Sequence, residues 1–436
     1  MFDPFSHGQF LHGVERNDFW NWIAGRRWFG GKARKVIEWR VDEIRAAGWG
    51  CIAEVDVTYA DGREVYAVPL AWREGDCGVA SIASRDGRVL CDATATAEFR
   101  DWLFQALEPG AALPRLFPGG GVPESKVLTV EQSNTSIVYG EKLFVKLYRR
   151  LVKGPNPDAE ITRYLSDVAG FPHVPAFGGS VTWHGASLAL AVSLTPNEGD
   201  AWPLALAAAR AFFASGEMGD WLERAALLGR RTGEMHSALL RGSGDDFAPE
   251  SFTARDLEEL ERGITHLESA TRAALGGRVE ALPSAAAQLA RNYLARPGRG
   301  IFCDLPSGAV KTRTHGDYHL GQVLWTGADF VIIDFEGEPS RTLAERRAKR
   351  SPLRDVAGML RSFHYAAYAA GGGDTAERWV ERSQTAFLDA WKEAAPDLHA
   401  GLGLLPLFIE EKALYELAYE MNNRPDWIGI PLRALG

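Results

Sequence analysis

The sequence lacks the features that would assign it to a disulfide-rich, metal-clustered or membrane-spanning class. Its 436 residues include four cysteines, with neither CxxC spacing nor a paired pattern, which argues against a disulfide framework or a cysteine-based zinc site. We expect free, buried thiols in a reducing compartment. No stretch reaches the ~20 apolar residues that a membrane span needs, and the first residues do not resemble a signal peptide. A soluble, cytoplasmic protein without a membrane partner is therefore expected.

Basic residues are also fewer than acidic residues. The chain carries 48 Lys and Arg against 57 Asp and Glu, for a formal net charge of -9. Nucleic-acid binding depends on a surplus of basic side chains that neutralise phosphates, so we expect no nucleic-acid partner. A local basic run, RRAKR at residues 346–350, is short, and we interpret it as a solvated surface.

Tryptophan, in contrast, is abundant, with 14 residues. Most of these rings are expected to pack in cores, although a flat aromatic ring also suits a surface that binds a sugar. The length predicts two or three packed units.

The order of predicted elements indicates an α+β protein with three parts. Residues 1–95 contain a short Trp-rich helix and a hairpin whose strands, 54–59 and 64–68, are joined at Asp61-Gly62. Residues 96–200 begin with an amphipathic helix and a Pro/Gly-rich linker, and are then mainly β-structure. Residues 201–436 are mainly helical and include one further β-hairpin.

That hairpin lies inside the segment THGDYHLGQ…DFE, which carries the strongest chemical signal. Gln322 precedes a predicted strand at 323–325, and a turn leads into a second strand at 330–333, followed by Asp334 and Glu336. The hairpin thus brings Gln322 and Asp334 together at its open end. Carboxylate and amide oxygens are the ligands that Mg²⁺ prefers. Gln322, Asp334 and Glu336 are therefore the candidate metal ligands.

Asp317 lies on the loop that enters this hairpin, and Gln322 follows it after four residues. Protein-kinase catalytic loops have the same order, with an Asp that orients and deprotonates the acceptor, a metal-binding amide and a later metal carboxylate. HxD and DFE triplets also occur by chance, and each alone is weak. In this order, with the hairpin between them, they indicate phosphotransfer with Asp317 as the catalytic residue.

The upstream half contains a candidate ATP-binding region. Lys146 interrupts an apolar strand at residues 143–147, and Glu160 follows at the start of a predicted helix, where it could pair with Lys146 as in kinases. An edge-strand lysine pointing to water is the alternative. A polar turn before this strand could wrap phosphates with backbone N–H groups, although it has no glycine; its candidate residues are Ser133, Asn134, Thr135 and Ser136.

The chain resembles bacterial maltokinases, including the kinase portion fused to trehalose synthase in some bacteria. The similar segments run from RRWFGGKAR at residue 26 and EKLFVKLYRRL at residue 141, through PNEGDAW at residue 196 and the stretch 314–367, to ALYELAYEMNNRPDWIGIPLRAL at residue 413. These enzymes belong to the aminoglycoside-phosphotransferase-like, eukaryotic-kinase-like superfamily. The resemblance implies a bilobal protein-kinase-like fold with an N-terminal β-rich cap (1–95), an intermediate ATP-binding subdomain (96–200) and a helical C-terminal lobe (201–436).

The resemblance also implies the reaction and several roles. The family uses ATP and Mg²⁺ to phosphorylate the anomeric hydroxyl of maltose, giving maltose 1-phosphate for α-glucan synthesis, and trehalose synthase is the implied partner. Asp317 would be the base, Gln322 and Asp334 the magnesium ligands, and Lys146 the phosphate clamp oriented by Glu160. His315 and Asp355 would support the catalytic loop. The segment 188–195 would be the interlobe connection that holds adenine.

The C-terminal helix carries the candidate sugar site. Polar and aromatic residues recur at helical spacing on one face, and the Pro that follows Arg424 ends the helix. Tyr rings with charged and amide groups suit a sugar, while an ordinary exposed face is the alternative. The candidate substrate residues are Lys412, Tyr415, Glu416, Tyr419, Asn423 and Arg424.

Two other functions remain open from the sequence. A kinase of the same fold could act on another sugar or amino sugar, such as glucose or glucosamine, and the catalytic motifs do not separate these substrates. A non-catalytic nucleotide-binding scaffold is disfavoured, because Lys146, Asp317, Gln322 and Asp334 are all present.

Overall fold

The computed structural model describes residues 3–6, 9–76, 78–128, 134–298, 304–373 and 375–435. The chain divides into two compact units. The first comprises Met1–Asp167 with Pro175–Thr195, and the second comprises Val168–Val174 with Pro196–Gly436. The first unit holds nearly all of the two predicted N-terminal parts, so a boundary at residue 95 stays a prediction.

The first unit is mainly antiparallel β-structure. Its strands are, in chain order, β1 (Val36–Ala47), β2 (Gly50–Tyr59), β3 (Gly62–Glu74), β4 (Ala83–Arg85), β5 (Arg88–Asp92), β6 (Glu108–Pro109), β7 (Ser125–Val127), β8 (Asn134–Tyr139), β9 (Leu143–Tyr148), β10 (Arg150–Leu151), β11 (Phe177–Trp183) and β12 (Ala186–Ser193). One sheet has the order β1-β2-β3-β5-β4, with β10 paired to β3, and the other has the order β6-β11-β12-β9-β8-β7. The predicted hairpin at Asp61-Gly62 is confirmed as β2 and β3.

Both faces of the first sheet are buried. Because side chains alternate along each strand, residues of one strand contribute to two different cores. On β2, Val55 and Val57 belong to a core with the N-terminal segment, whereas Ile52 belongs to a second core shared with Phe99 and with Leu147 of the other sheet. Cys51 and Cys91 are buried on β2 and β5, while Cys77 and Cys303 lie outside the described residues.

The helices of the first unit are short. They are α1 (Arg16–Ala24), α2 (Ala97–Gln105), α3 (Leu113–Leu116) and α4 (Pro157–Arg163), and a π-helical turn follows at Tyr164–Val168. The Thr96 hydroxyl accepts the Phe99 N–H and begins α2. The predicted linker contains β6 and α3. Residues 188–193 belong to β12, and the segment 188–195 ends at Thr195, where the first unit ends; its role in holding adenine stays a prediction.

The second unit is helical apart from two small ladders. Its helices are α5 (Ala201–Ser215), α6 (Trp221–Leu240), α7 (Gly244–Phe247), α8 (Ala254–Gly276), α9 (Ser284–Ala295), α10 (Leu343–Arg347), α11 (Leu353–Ala369), α12 (Ala376–Ala394), α13 (Leu405–Asn423) and α14 (Gly429–Leu435). The ladders are β13 (Glu250–Ser251) with β14 (Val310–Lys311), and β15 (Val323–Trp325) with β16 (Phe330–Ile332). The predicted hairpin is confirmed as β15 and β16, and the first ladder was not predicted.

Close packing around α6 and α11 builds the core of the second unit. Trp221 stacks on Trp379 of α12 with a centroid distance of 5.3 Å. A Cβ at Gly229 would lie 2.0 Å from the carbonyl oxygen of Phe387, so only glycine allows α6 and α12 to approach this closely. The helix α11 is buried along most of its length. None of the helices in the described ranges is long and apolar enough to cross a membrane.

Candidate active site

Asp355, near the start of α11, accepts hydrogen bonds from the loop that carries Asp317. Asp355 Oδ1 accepts the Gly316 N–H at 2.9 Å, and Asp355 Oδ2 accepts the His315 N–H at 2.8 Å. Gly316 has a φ of +86°, and a Cβ there would lie 3.1 Å from the Gly337 Cα, so glycine is required at this bend. Asp355 thus makes the contacts that a support for the catalytic loop would make.

Asp355 is itself held in a buried hydrogen-bond chain. It is 2% exposed, and His236 Nε2 lies 3.2 Å from its Oδ2. Trp391 Nε1 donates to His236 Nδ1 at 3.0 Å, so Nε2 of His236 carries the hydrogen and donates to Asp355. Burial alone would raise the pKa of Asp355, but His236, His315 and the Gly316 N–H together hold it below its usual value. The carboxylate therefore stays ionised and keeps both loop contacts.

His315 joins the catalytic loop to the segment that follows the hairpin. Its Nδ1 accepts the Asp317 N–H at 3.4 Å, and its Nε2 donates to the carbonyl of Ile333 at 2.9 Å. The ring also packs on Phe335, with a centroid distance of 4.8 Å. These contacts agree with a supporting position for His315.

The candidate metal ligands lie where the hairpin ends. Ile333 N–H donates to the carbonyl oxygen of Gln322 at 3.0 Å across the hairpin. Asp334 follows with a φ of +68°, an uncommon conformation for a residue other than glycine. One carboxylate oxygen of Asp334 lies within 4.8 Å of one of Glu336. This pair of hard oxygen donors fits a divalent cation such as Mg²⁺.

Lys412 of α13 lies between two carboxylates beside the catalytic loop. Its Nζ is 3.0 Å from Glu338 Oε1 and 3.6 Å from Asp317 Oδ1. Arg341 holds the second oxygen of Glu338 at 2.6 Å. Burial opposes the charged amine, but Glu338, Asp317 and Glu416 outweigh it, and the pKa of Lys412 is raised. A protonated lysine therefore stands next to Asp317 at neutral pH.

A cavity of about 780 Å³ opens at Asp317 and Lys412. It is lined by Asp200, Trp202, Asp317, His319, Gly321, Pro339, Ser340, Gly358, Ser362, Tyr365, Lys412, Tyr415, Glu416, Tyr419, Glu420, Arg424 and Trp427. Five of the six candidate substrate residues are in this set. Asn423 is not, and its amide donates to the carbonyl oxygen of Tyr419 at 2.8 Å along the helix.

The acidic residues of the α13 face are already paired. Glu416 Oε2 accepts hydrogen bonds from Arg361 Nε at 2.8 Å. Glu420 accepts from the Tyr365 hydroxyl at 3.1 Å and from Arg424 at 2.7 and 2.9 Å. Because these partners lie in the same unit, the cavity wall is arranged before any ligand binds.

Several lining residues were missed from the sequence. Trp202, His319, Tyr365 and Trp427 come from four separate segments, and Tyr365 stacks with Trp427 at a centroid distance of 6.1 Å. Only His319 had a signal, since it stands inside the catalytic-loop segment. Glu338, which holds Lys412, lies two residues after the predicted metal ligand Glu336.

Asp200 differs from the other acids of the cavity. Its Oδ1 accepts the Trp202 N–H at 2.9 Å and caps α5. Within the described part of the chain, no Lys, Arg or His side chain pairs with its carboxylate. Asp200 is therefore the lining carboxylate available to a positively charged group.

In the first unit, Lys146 of β9 pairs with an acid of α4. Its Nζ is 2.7 Å from Asp158 Oδ2, and the Tyr148 hydroxyl donates to the same oxygen at 3.4 Å. The sequence indicated Glu160, two residues later on the same helix, for this pairing. Asp158, which was not singled out from the sequence, is thus one acid partner of Lys146, and the pairing with Glu160 stays a prediction.

The candidate phosphate-binding turn is only partly described. Ser133 lies outside the described residues, whereas Asn134, Thr135 and Ser136 begin β8, and Ser136 is directly opposite Lys146 in the sheet. Thr135 Oγ1 accepts from Arg149 Nε at 2.9 Å. The Thr135 hydroxyl is therefore already engaged within the sheet, and a phosphate contact by this turn stays a prediction.

Comparison with known families agrees with this geometry. Residues 198–396 match the phosphotransferase enzyme family, and this range includes Asp317, Gln322, Asp334 and Asp355. This part of the chain belongs to the phosphotransferase enzyme family. Residues 22–106 match the maltokinase N-terminal cap domain. The predicted membership of the aminoglycoside-phosphotransferase-like superfamily is thereby confirmed.

Individual relatives cover most of the chain. A glucosamine kinase from Streptacidiphilus jiangxiensis is 29% identical over 90% of this chain and 89% of its own. A glucosamine kinase from Mycolicibacterium smegmatis is 28% identical over 71% of this chain and 78% of its own. A solved glucosamine kinase in complex with glucosamine, ADP and inorganic phosphate has a TM-score of 0.64 at 23% identity, covering 91% of this chain and 93% of its own. This likeness confirms the predicted kinase-like fold class.

Proposed function

We propose that this kinase transfers the γ-phosphate of ATP to the anomeric hydroxyl of maltose, giving maltose 1-phosphate and ADP. The observation that carries the proposal is the cavity of about 780 Å³ with Asp317 and Lys412 in its wall. Ligand cavities of ~300–1,000 Å³ are usual for molecules of this size. Tyr and Trp rings on the wall offer stacking surfaces for two pyranose rings, and the maltokinase-type cap domain supports the same substrate.

In the proposed reaction, Asp317 accepts the proton of the anomeric hydroxyl as its oxygen bonds to the γ-phosphorus and the bond to ADP breaks. Lys412 keeps the Asp317 side chain oriented. Asp334 and Glu336, with Gln322, would hold Mg²⁺, which when bound neutralises charge on the phosphates. Lys146, held by Asp158, would contact the ATP phosphates.

The pairing of the acidic residues favours a neutral sugar over an amino sugar. Glu416 and Glu420 already bind Arg361 and Arg424, and Asp317 lies beside Lys412. A substrate ammonium near these carboxylates would have to compete with a resident cation, whereas sugar hydroxyls can share them as additional hydrogen-bond donors.

The test is a coupled assay of ADP release with Mg²⁺, run with maltose, glucose, glucosamine and an aminoglycoside. We expect the highest kcat/KM with maltose. The Asp317→Asn variant should lose ~10²–10⁴-fold in kcat while still binding ATP. Folded protein that turns over none of these acceptors would instead support a nucleotide-binding scaffold.

Phosphorylation of glucosamine is the second candidate. Its support is the glucosamine kinases among the relatives together with Asp200, whose unpaired carboxylate could receive the ammonium. Asp200→Asn should then lower kcat/KM for glucosamine and leave maltose turnover nearly unchanged. No turnover of glucosamine by wild type would remove this candidate, whereas equal turnover by wild type and Asp200→Asn would remove only the role of Asp200.

The resemblance to maltokinases also suggests the use of the product and a partner protein. Maltose 1-phosphate is a donor for α-glucan synthesis, and we infer the cytoplasm as the location from the free thiol Cys51. Association with trehalose synthase would be tested by co-purification of the two proteins.

A further inference from the structure

The basic run at residues 346–350 does not form one solvated surface. Arg347 and Lys349 make ion pairs with Asp246 and Glu250, at 3.0 and 2.9 Å. Arg346 and Arg350 instead line a second cavity, together with Arg341 and Arg354. Four arginines from one short stretch of chain therefore line one cavity that also borders Gly316 and Asp317, which corrects the interpretation from the sequence.

Three of these arginines have acceptors within 3.0 Å. Arg341 binds Glu338 at 2.6 Å, and Arg354 binds Glu411 at 2.7 Å. Arg346 Nη1 donates to the carbonyl oxygen of Glu336 at 3.0 Å.

Arg350 has no such acid. Its side chain reaches only the carbonyl oxygen of Glu345, at 3.5 Å, and no carboxylate within the described ranges forms an ion pair with it. The Glu345 carboxylate is itself used to cap α10, where Oε2 accepts from the Thr342 N–H and hydroxyl, each at 2.8 Å. Arg350 is thus a half-buried cation without a counter-charge in contact.

The electrostatics of Arg350 agree with this arrangement. Burial, followed by Arg354 and Arg341, lowers the pKa of its guanidinium to about 10, and Glu411 and Glu345 offset only part of this effect. An arginine side chain is otherwise charged at every accessible pH. An anion among these guanidinium groups would relieve their repulsion and accept charge-assisted hydrogen bonds.

The size of the cavity restricts the ligand. Its volume is about 80 Å³, well above the ~10–15 Å³ that a single water requires, but far smaller than the neighbouring cavity. We propose that Arg341, Arg350 and Arg354 form a binding site for a compact tetrahedral oxyanion, either inorganic phosphate or the phosphate group of a metabolite. The rest of a phosphorylated metabolite would have to extend out of the cavity.

Binding is measured by calorimetry on the full-length protein at constant ionic strength, with inorganic phosphate in one series and a hexose phosphate in the other. We expect the wild-type protein to bind the oxyanion saturably and the Arg350→Gln variant to bind it at least ~10-fold more weakly. Arg347→Gln, in the same run but paired on the surface, should bind like wild type. Arg350→Lys keeps the charge and should bind with intermediate affinity, and it serves in place of Arg350→Gln if that variant does not fold. Tighter binding in one series than in the other identifies the source of the oxyanion.

A crystal soaked in selenate gives an independent measurement, because selenium marks an oxyanion by its anomalous signal. A peak between Arg341, Arg350 and Arg354 is expected. The proposal would be overturned if wild type does not bind phosphate, or if Arg350→Gln binds it as tightly as wild type. A selenate-soaked crystal without a peak at these arginines would also overturn it.

Discussion

Lys412 Nζ lies 3.6 Å from Asp317 Oδ1, although Lys412 belongs to the helix α13 and Asp317 to the loop before β15. Replacing Lys412 with Met removes the positive charge between Asp317 and Glu338 and frees the Asp317 side chain. We expect kcat/KM for the sugar to fall ~10–100-fold, equivalent to about 1.5–3 kcal/mol, with the KM for ATP nearly unchanged. Lys349→Met, which removes a lysine paired with Glu250 at the surface, should behave like wild type. Equal kinetics of the two variants would contradict this role for Lys412.

Tyr419 is the most exposed tyrosine of the proposed sugar site, at 45%. Tyr419→Ala removes a stacking surface without opening a core, so the KM for the sugar should rise ~5–10-fold while the KM for ATP stays the same. Tyr368→Ala, at a tyrosine that lines a separate cavity, is the control. A sugar KM equal to that of wild type would place the sugar elsewhere.

Asp158 Oδ2 lies 2.7 Å from Lys146 Nζ. Asp158→Asn should therefore weaken ATP binding more than Glu160→Gln, because a lysine without its carboxylate partner is less well oriented toward phosphates. Lys146→Met should weaken it as well. Fluorescent ATP-analogue titration of the three variants measures this order, and a larger loss in Glu160→Gln would return the role to Glu160.

Asp355→Asn removes a carboxylate that accepts two backbone N–H groups and His236. The amide can accept some of these bonds but not all, so unfolding free energy should fall by about 2–5 kcal/mol in urea titration. Because the loop holding Asp317 also loses its support, kcat should fall more than the sugar KM rises. Asp389→Asn, on the exposed side of α12, is the control, and a variant that lost stability with an unchanged kcat would limit Asp355 to a structural role.

His364 should make stability depend on pH. Burial, with a smaller effect of Arg361, lowers its pKa from 6.5 to about 3, and its Nδ1 has no hydrogen-bond partner. Between these values the unfolded chain binds a proton at this residue and the folded chain does not, so unfolding free energy should fall as pH drops below about 6.5, by up to ~1.4 kcal/mol per pH unit. Urea titrations from pH 4 to 7 should show a shallower slope in His364→Gln than in His266→Gln, at an exposed histidine. The same slope in both would show that other groups cause the dependence.

The sequence by itself determined the features that depend on residues close together in the chain. A turn between two short apolar strands forms the hairpin that places Gln322 opposite Ile333 and next to Asp334, because backbone pairing sets this register locally. Helical spacing likewise put Tyr415 and Tyr419 on one face of α13. These patterns sufficed for the kinase family, and they predict a catalytic loop at Asp317.

Only the tertiary structure decided which distant groups meet. Lys412 reaches Asp317, and Asp355 reaches the Gly316 N–H, through the packing of α11 and α13. No periodicity encodes such pairs, since they depend on how whole helices pack. The contact between Asp158 and Lys146 likewise depends on how α4 is rotated against β9. Helix packing also separates two neighbours in the basic run at residues 346–350. Lys349 pairs with Glu250 from another segment, whereas the Arg350 side chain, within the described residues, hydrogen-bonds only to the carbonyl oxygen of Glu345.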